Sequence, residues 1–315
     1  MNRREFTKIA AASSLGLAAS KLNLFAAGQP AEHASDLSVH VFSKHLQFLD
    51  YRDMAKAAAD IGFTGLDLTV RRGGHVKPEN VKRDLPTAVD AMRDEGLEPV
   101  MMATSINNAE DPVNVEVLET ATGLGFRIYR MAYYKFDEQG TWKQNMDGLK
   151  SQFDVLGRLN ERLGIHGAYQ NHSGTNVGSY LPDIAYLVEG TDPRWSGCQY
   201  DIRHATVEGG TAWPLGLRWV KDHIWTIAIK DFKWGKRDGR DWPVHVPLGT
   251  GVVDFVRFFG KLRSYGVQPE VSLHLEYDLG GAEHGDREIS IPAKDVYAAM
   301  SADLAKVQEF WRASA

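Results

Sequence analysis

Hydrophobic and polar positions along this chain follow two periods in turn. Short apolar runs with the two-residue period of strands fall near Val39–Phe42, Gly65–Thr69, Glu98–Ala103, Ile128–Ala132, Ile165–Gln170, Gly197–Asp201, Ile224–Lys230 and Val271–Glu276. Between them lie stretches with the helical period. Tyr51–Ile61 puts Met54, Ala58 and Ile61 on one face, and Leu85–Glu95 does the same with Ala88, Val89 and Met92. Asn114–Leu124, Asn145–Leu163, Asp183–Glu189, Pro214–Lys221, Asp254–Tyr265 and Pro292–Trp311 follow. Gly62, Gly96, Gly125, Gly164 and Gly266 each stop a helix just before the next strand. Strict strand–helix alternation predicts an α/β fold with a parallel sheet, and eight such units are what closes a (β/α)8 TIM barrel. An open doubly wound sheet is the alternative. It calls for a glycine-rich phosphate loop after the first strand, which Phe42-Ser43-Lys44-His45 is not.

Composition narrows this further. The 315 residues fit one large barrel or two small domains, and no linker rich in Pro, Gly or Ser divides them, so residues 29–315 read as one domain. A net charge of −5 with no basic stripe gives no reason to expect a nucleic-acid partner. The single Cys198 rules out an internal disulfide and reads as an inert core residue. Residues 1–28 read as a separate object. Asn2-Arg3-Arg4-Glu5-Phe6-Thr7-Lys8 is a twin-arginine pattern, and a mildly apolar stretch broken by Lys21 leads to small residues at Ala26-Ala27-Gly28. This predicts export, to the periplasm or beyond, with no membrane span once the signal is removed.

The candidate chemistry sits where strands end. Tyr169-Gln170-Asn171-His172, Gln199-Tyr200-Asp201-Ile202-Arg203-His204, Ala228-Ile229-Lys230-Asp231 and Ser272-Leu273-His274-Leu275-Glu276 each begin apolar and finish in groups that bind metals or move protons. Side chains two apart share a face of a strand, so Gln170 pairs with His172, Gln199 with Asp201, and His274 with Glu276, while Ala228 pairs with Lys230. A carboxylate at the inner end of a buried strand needs a cation or several donors, which makes Asp201 and Glu276 the strongest candidates. Lys230 can neutralise both without any metal. Asp67, Asp231, His172 and His204 each keep a structural reading beside the functional one: a buried carboxylate on backbone donors, a loop cap, an orienting hydrogen bond, a helix cap. Lys44, Arg71 and His75 lie in loops after the first two strands, where Gly73-Gly74 allows close approach of a ligand. With His274 they are candidate substrate contacts. Trp213 is a candidate for stacking on a sugar ring, with Trp234 and Trp242 in loops on the same face. Pro247-Leu248-Gly249-Thr250-Gly251 looks like a phosphate-friendly turn.

These motifs together resemble the xylose-isomerase-like TIM barrels, the sugar phosphate isomerase/epimerase superfamily. Asp201-Ile202-Arg203-His204-Ala205 is similar to its D-x-x-H-A motif, and Ile229-Lys230-Asp231 to the end of H-x-K-D. Pro247 through Phe255 is similar to P-x-G-x-G-x-x-D-F, Asn171-His172 to the tail of E-N-H, and Glu276 stands at the final glutamate. The resemblance implies a carbohydrate isomerase or epimerase that abstracts a proton beside a sugar carbonyl, with a keto-glycoside lyase or hydratase and a catalytically inert sugar-binding barrel as alternatives. A DNA-repair endonuclease on the same fold would want a His-rich zinc set and a basic groove. The resemblance also implies a divalent ion, manganese or magnesium, held here by Gln170, Asp201 and Glu276, with Gln170 standing for a family glutamate and Ala228 for a family histidine. Glu276, Lys230, His204 and His172 are the expected catalytic set, a small carbohydrate the expected partner, and a homodimer a common arrangement among such barrels.

Overall fold

The computed structural model describes residues Leu37–Ala315; the expected export signal, residues 1–28, lies outside them. Eight parallel strands close a barrel: β1 (Val39–Phe42), β2 (Gly65–Val70), β3 (Met101–Thr104), β4 (Ile128–Arg130), β5 (His166–Gln170), β6 (Ser196–Asp201), β7 (Ile224–Ile229) and, after a two-stranded insertion, β10 (Glu270–Leu273). Neighbours in sequence are neighbours in the sheet, and β10 pairs with both β7 and β1 to complete the circle. The helices are α1 (Tyr51–Ile61), α2 (Val81–Asp94), α3 (Pro112–Leu124), α4 (Trp142–Leu163), α5 (Leu181–Val188), α6 (Ile202–Gly209), α7 (Trp213–Val220), α8 (Phe255–Ser264) and α9 (Ala293–Ala313). The fold is the (β/α)8 TIM barrel that the alternation predicts.

The two-residue period decides what each strand residue meets. Leu66, Leu68, Tyr129, Tyr169, Tyr200, Ile229 and Leu273 join Met54, Leu85, Phe153, Ile184 and Phe258 of the helices in one apolar layer. A second, small apolar cluster of Val100, Met101, Ile128 and Ala168 plugs the barrel near the strand starts. Above it the interior is polar: Asp67, Arg130, Gln170, Asp201, Lys230, Ser272 and His274 are all buried. Helix ends follow the sequence signals. Thr141 and Gln144 form a reciprocal capping box on α4, and Gly62, Gly125 and Gly164 take the left-handed conformation past α1, α3 and α4. Among the described residues no helix is long and apolar enough to cross a membrane.

Three local elements differ from expectation. The last barrel strand stops at Leu273, so His274–Glu276 are not strand, although His274 N still donates to Ile229 O at 2.9 Å. An additional helix, α6, starts directly after β6, because the Asp201 side chain caps it by accepting from His204 N at 3.0 Å. Trp234 and Trp242 lie in a β-hairpin, β8 (Asp231–Arg237) with β9 (Arg240–Val246), and not in loops. Its two-residue turn is Asp238-Gly239, both at positive φ, which suits the twist of the flanking strands.

Candidate active site

Gln170, Asp201, Lys230 and Glu276 meet at the carboxyl ends of their strands. Gln170 Nε2 donates to Asp201 Oδ2 at 2.9 Å. Lys230 Nζ stands 3.3 Å from Asp201 Oδ2 and 3.1 Å from Glu276 Oε2. Asp201 and Lys230 are out of water, while the Glu276 side chain keeps 21% of its surface. A buried ammonium bridging two carboxylates removes most of the penalty that either charge would carry alone. Glu276 Oε1 also faces Lys44 Nζ at 3.6 Å and His274 Nδ1 at 3.7 Å. Burial by itself would raise the Glu276 carboxyl. Lys230, His274 and Lys44 outweigh it and hold the group well below the usual carboxylate range. Glu276 is therefore ionised at neutral pH and open to a cleft of about 600 Å3, which His172, His204, His245 and Trp242 also line.

Hydrogen-bond partners settle the histidine tautomers. His204 Nδ1 receives from Ser173 N at 3.1 Å and from Arg203 Nη1 at 3.0 Å, two groups that only donate. Its proton is then on Nε2, facing Asp201 Oδ2 at 3.5 Å. His172 has the opposite arrangement. Its Nδ1 donates to the Ser173 carbonyl at 2.8 Å, leaving Nε2 as a free acceptor. The two rings lie 4.0 Å apart, and burial, with Lys230 adding to it, keeps both neutral. His172 can accept a proton; His204 orients Asp201.

A ring of cations surrounds Phe42. Lys44 Nζ, Arg71 Cζ and Arg130 Cζ lie 5.5, 5.3 and 5.2 Å from its ring centroid, and His274 stacks on it at 4.5 Å. Burial brings the Lys44 ammonium from 10.5 down to about 8; Glu276 opposes the shift, and Lys230, Arg71 and Arg130 add to it.

Several expected contacts fall elsewhere. His75 is not free for a substrate: its Nδ1 meets Ser43 Oγ and Thr69 Oγ1, each at 3.2 Å, and its Nε2 meets Leu46 O at 3.2 Å. Trp213 is buried at the start of α7 against Phe258, under Arg257, away from the polar cluster, because its indole completes the helix layer. His274 is buried below Glu276, with Nε2 donating to Ser272 Oγ at 3.0 Å and Nδ1 3.7 Å from Glu276 Oε1, so it lines the floor of the site and is not open to a ligand. The Pro247–Gly251 turn is already occupied. Asp231 accepts from Phe232 N, Gly249 N, Gly251 N and Val253 N at 2.8 to 3.2 Å, leaving no nest for a phosphate. A Cβ at Gly251 would collide with Asp231 and with the Phe232 carbonyl, so that turn requires glycine.

The expected metal trio does not fit a divalent ion. Arg130 Nη1 at 3.1 Å and Tyr133 OH at 2.7 Å both donate to Gln170 Oε1, so its oxygen is spent and its NH2 faces the centre. Ala228, in register between Asp201 and Ser272, offers only a methyl group. Lys230 Nζ sits between the two remaining carboxylates. Among the described residues no three His, Cys, Asp or Glu side chains are grouped as a metal site. Sequence reasoning also missed Arg130, Tyr133 and His245, whose Nε2 is 3.4 Å from Glu276 Oε2. Arg130 was within reach, since it is a polar residue ending an apolar strand. His245 would have followed from the Asp238-Gly239 hairpin signal.

The acid–base groups stand at the carboxyl mouth of the closed parallel barrel, the place where TIM-barrel enzymes hold their active sites. The profile described as xylose isomerase-like TIM barrel matches residues 55–290, and the chain belongs to that family. An inosose dehydratase from Bacillus velezensis is 24% identical over 192 residues, 54% of this chain and 62% of that protein, so the match spans less than two thirds of the relative. In fold, the chain is similar to 3-keto-D-glucoside 4-epimerase from E. coli, with a TM-score of 0.61 and 14% identity over 86% of this chain and 99% of that one. It is also similar to a xylose isomerase-like TIM barrel protein from Mycobacterium smegmatis in complex with magnesium, with a TM-score of 0.61 and 12% identity over 89% and 98%.

Proposed function

We propose that this protein is a carbohydrate isomerase or epimerase that removes the proton from the carbon beside a sugar carbonyl. One observation carries the reading: the ionised Glu276 carboxylate opens on the cleft with Lys230 at 3.1 Å and Lys44 at 3.6 Å. Glu276 takes the C–H proton. The electron pair moves to the carbonyl oxygen, and Lys230 and Lys44, released in part from Glu276 as it is neutralised, hold the resulting enediolate. His172 carries the second proton through its free Nε2. Return of a proton to the neighbouring carbon isomerises the sugar; return to the other face of the same carbon epimerises it.

The dehydratase among the sequence relatives supports a second outcome of the same first step. The enediolate expels a hydroxyl at the next carbon, and Lys44, with a pKa of about 8, supplies the proton that makes it water. Incubation with keto-sugars in deuterated water tests the shared step. Label is expected at the carbon beside the carbonyl, slowed at least about 100-fold by Glu276→Gln, and the product spectrum separates return from expulsion. Measurable binding without any exchange would show an inert sugar-binding barrel instead. We also propose export by the twin-arginine route, which Arg3→Lys with Arg4→Lys should abolish.

A further inference from the structure

Two cations at the barrel mouth have a carboxylate to face. Lys230 bridges Asp201 and Glu276, and Lys44 faces Glu276. Arg71 and Arg130 do not. Neither guanidinium lies within ion-pair distance of a carboxylate among the described residues, although they share the Phe42 ring with Lys44. Arg130 is 7% exposed, gives Nη1 to the neutral Gln170 amide, and has an Nε with no hydrogen-bond partner. Arg71 makes no side-chain hydrogen bond there. Asp67 is the acid on their side among the described residues, beyond ion-pair distance: burial raises its carboxyl, Arg130 and Arg71 oppose the shift, and Ser272 Oγ donates to it at 2.6 Å. Burial and then Arg130 bring Arg71 from 12.5 to about 10, with Asp67 opposing the shift. The Phe42 face offsets only part of this. One buried and one partly buried fork with spare donors form a preorganised receptor for an oxyanion, which takes up their charge and their hydrogen bonds together.

We infer that the substrate carries an anionic oxygen group, a carboxylate or a phosphate, which seats against Arg71 and Arg130 beside Lys44. This rests on the carbohydrate-enzyme reading above and names the kind of carbohydrate: an acidic sugar. The group anchors one end of the molecule while its carbonyl lies by Lys230 and Glu276.

Acetate and inorganic phosphate are titrated into the full protein by calorimetry at constant ionic strength. Saturable binding of at least one is expected, weakened about tenfold or more in Arg71→Met. Among the described residues Arg71 makes no side-chain hydrogen bond, so that variant should fold. Arg130→Lys, which keeps the charge and loses the fork, is the second variant and should also weaken binding. In a further arm, D-glucuronate or glucose 6-phosphate binds more tightly than D-glucose, and whichever does so separates carboxylate from phosphate. No saturable binding of either simple anion, or equal binding by wild type and Arg71→Met, overturns the inference. So does an affinity for both acidic sugars no better than for D-glucose, no binding included. Deuterium exchange into neutral keto-sugars without any preference for anions would leave the enzyme reading standing and this inference fallen. Anion preference without exchange would do the reverse.

Discussion

The Gln170 amide turns its nitrogen, not its oxygen, towards Asp201, at 2.9 Å. The orientation is imposed from behind: Arg130 can only donate, and Tyr133 OH donates as well, so the atom they share must be the oxygen. A side chain that stands where the family resemblance puts an anionic ligand is thereby a hydrogen-bond donor to the site.

Chelation should therefore leave the melting temperature and any activity unchanged, and elemental analysis should find less than stoichiometric manganese or magnesium. Restoring both lost donors, with Gln170→Glu and Ala228→His together, should create manganese binding measurable by calorimetry. Stoichiometric metal held by the wild-type protein would contradict the donor geometry.

Lys230 is the counter-charge for two carboxylates. Lys230→Met should cost about 3–5 kcal/mol of stability, because it leaves buried charge uncompensated. It should also raise the Glu276 pKa, moving the acid limb of the activity profile to higher pH. In the wild type the Glu276 carboxyl lies below its ordinary 4.5, so its stabilising contribution is full above that value and is lost as pH falls through the lower folded value. Urea denaturation as a function of pH reads the stability term. An unmoved acid limb would remove Lys230 from beside Glu276.

Lys44 titrates at about 8 in the fold and at 10.5 as a free side chain. Activity that needs its ammonium should fall as pH rises through about 8, and Lys44→Arg should carry that limb upward. Stability moves the other way. Between those two values the unfolded chain binds more protons, so the Lys44 contribution to stability grows with pH over that window. A base limb unchanged in Lys44→Arg would assign it to another group.

Asp231 holds four backbone N–H groups and touches no cleft residue through its carboxylate. Asp231→Ala should destabilise by about 3 kcal/mol or more, the scale expected when hydrogen bonds to a buried charge are lost. Anion binding at Arg71 and Arg130 should be unchanged in the folded fraction, a combination that calorimetry and thermal melting distinguish.

Much of the site was legible because local rules carry it. The two-residue period sends Asp201 and Lys230 inward and Ile229 outward, and in a closed barrel all inward strand ends meet at one mouth. The same rule would have found Arg130. It did not reveal that His75 is saturated or that Trp213 belongs to the helix layer, because a periodicity names a face and not the partner that waits there.

The amino-acid order alone determined the eight strand–helix units, the barrel they close and the polar character of its carboxyl end, since propensity, caps and alternation act over a few residues. Only the tertiary structure decided which way the Gln170 amide points, that Asp231 fills the glycine turn, and that Arg71 and Arg130 have no carboxylate within ion-pair distance among the described residues. Those outcomes depend on contacts between groups tens to hundreds of positions apart, and whether a buried charge or hydrogen-bonding group finds a partner is settled by the packed molecule as a whole.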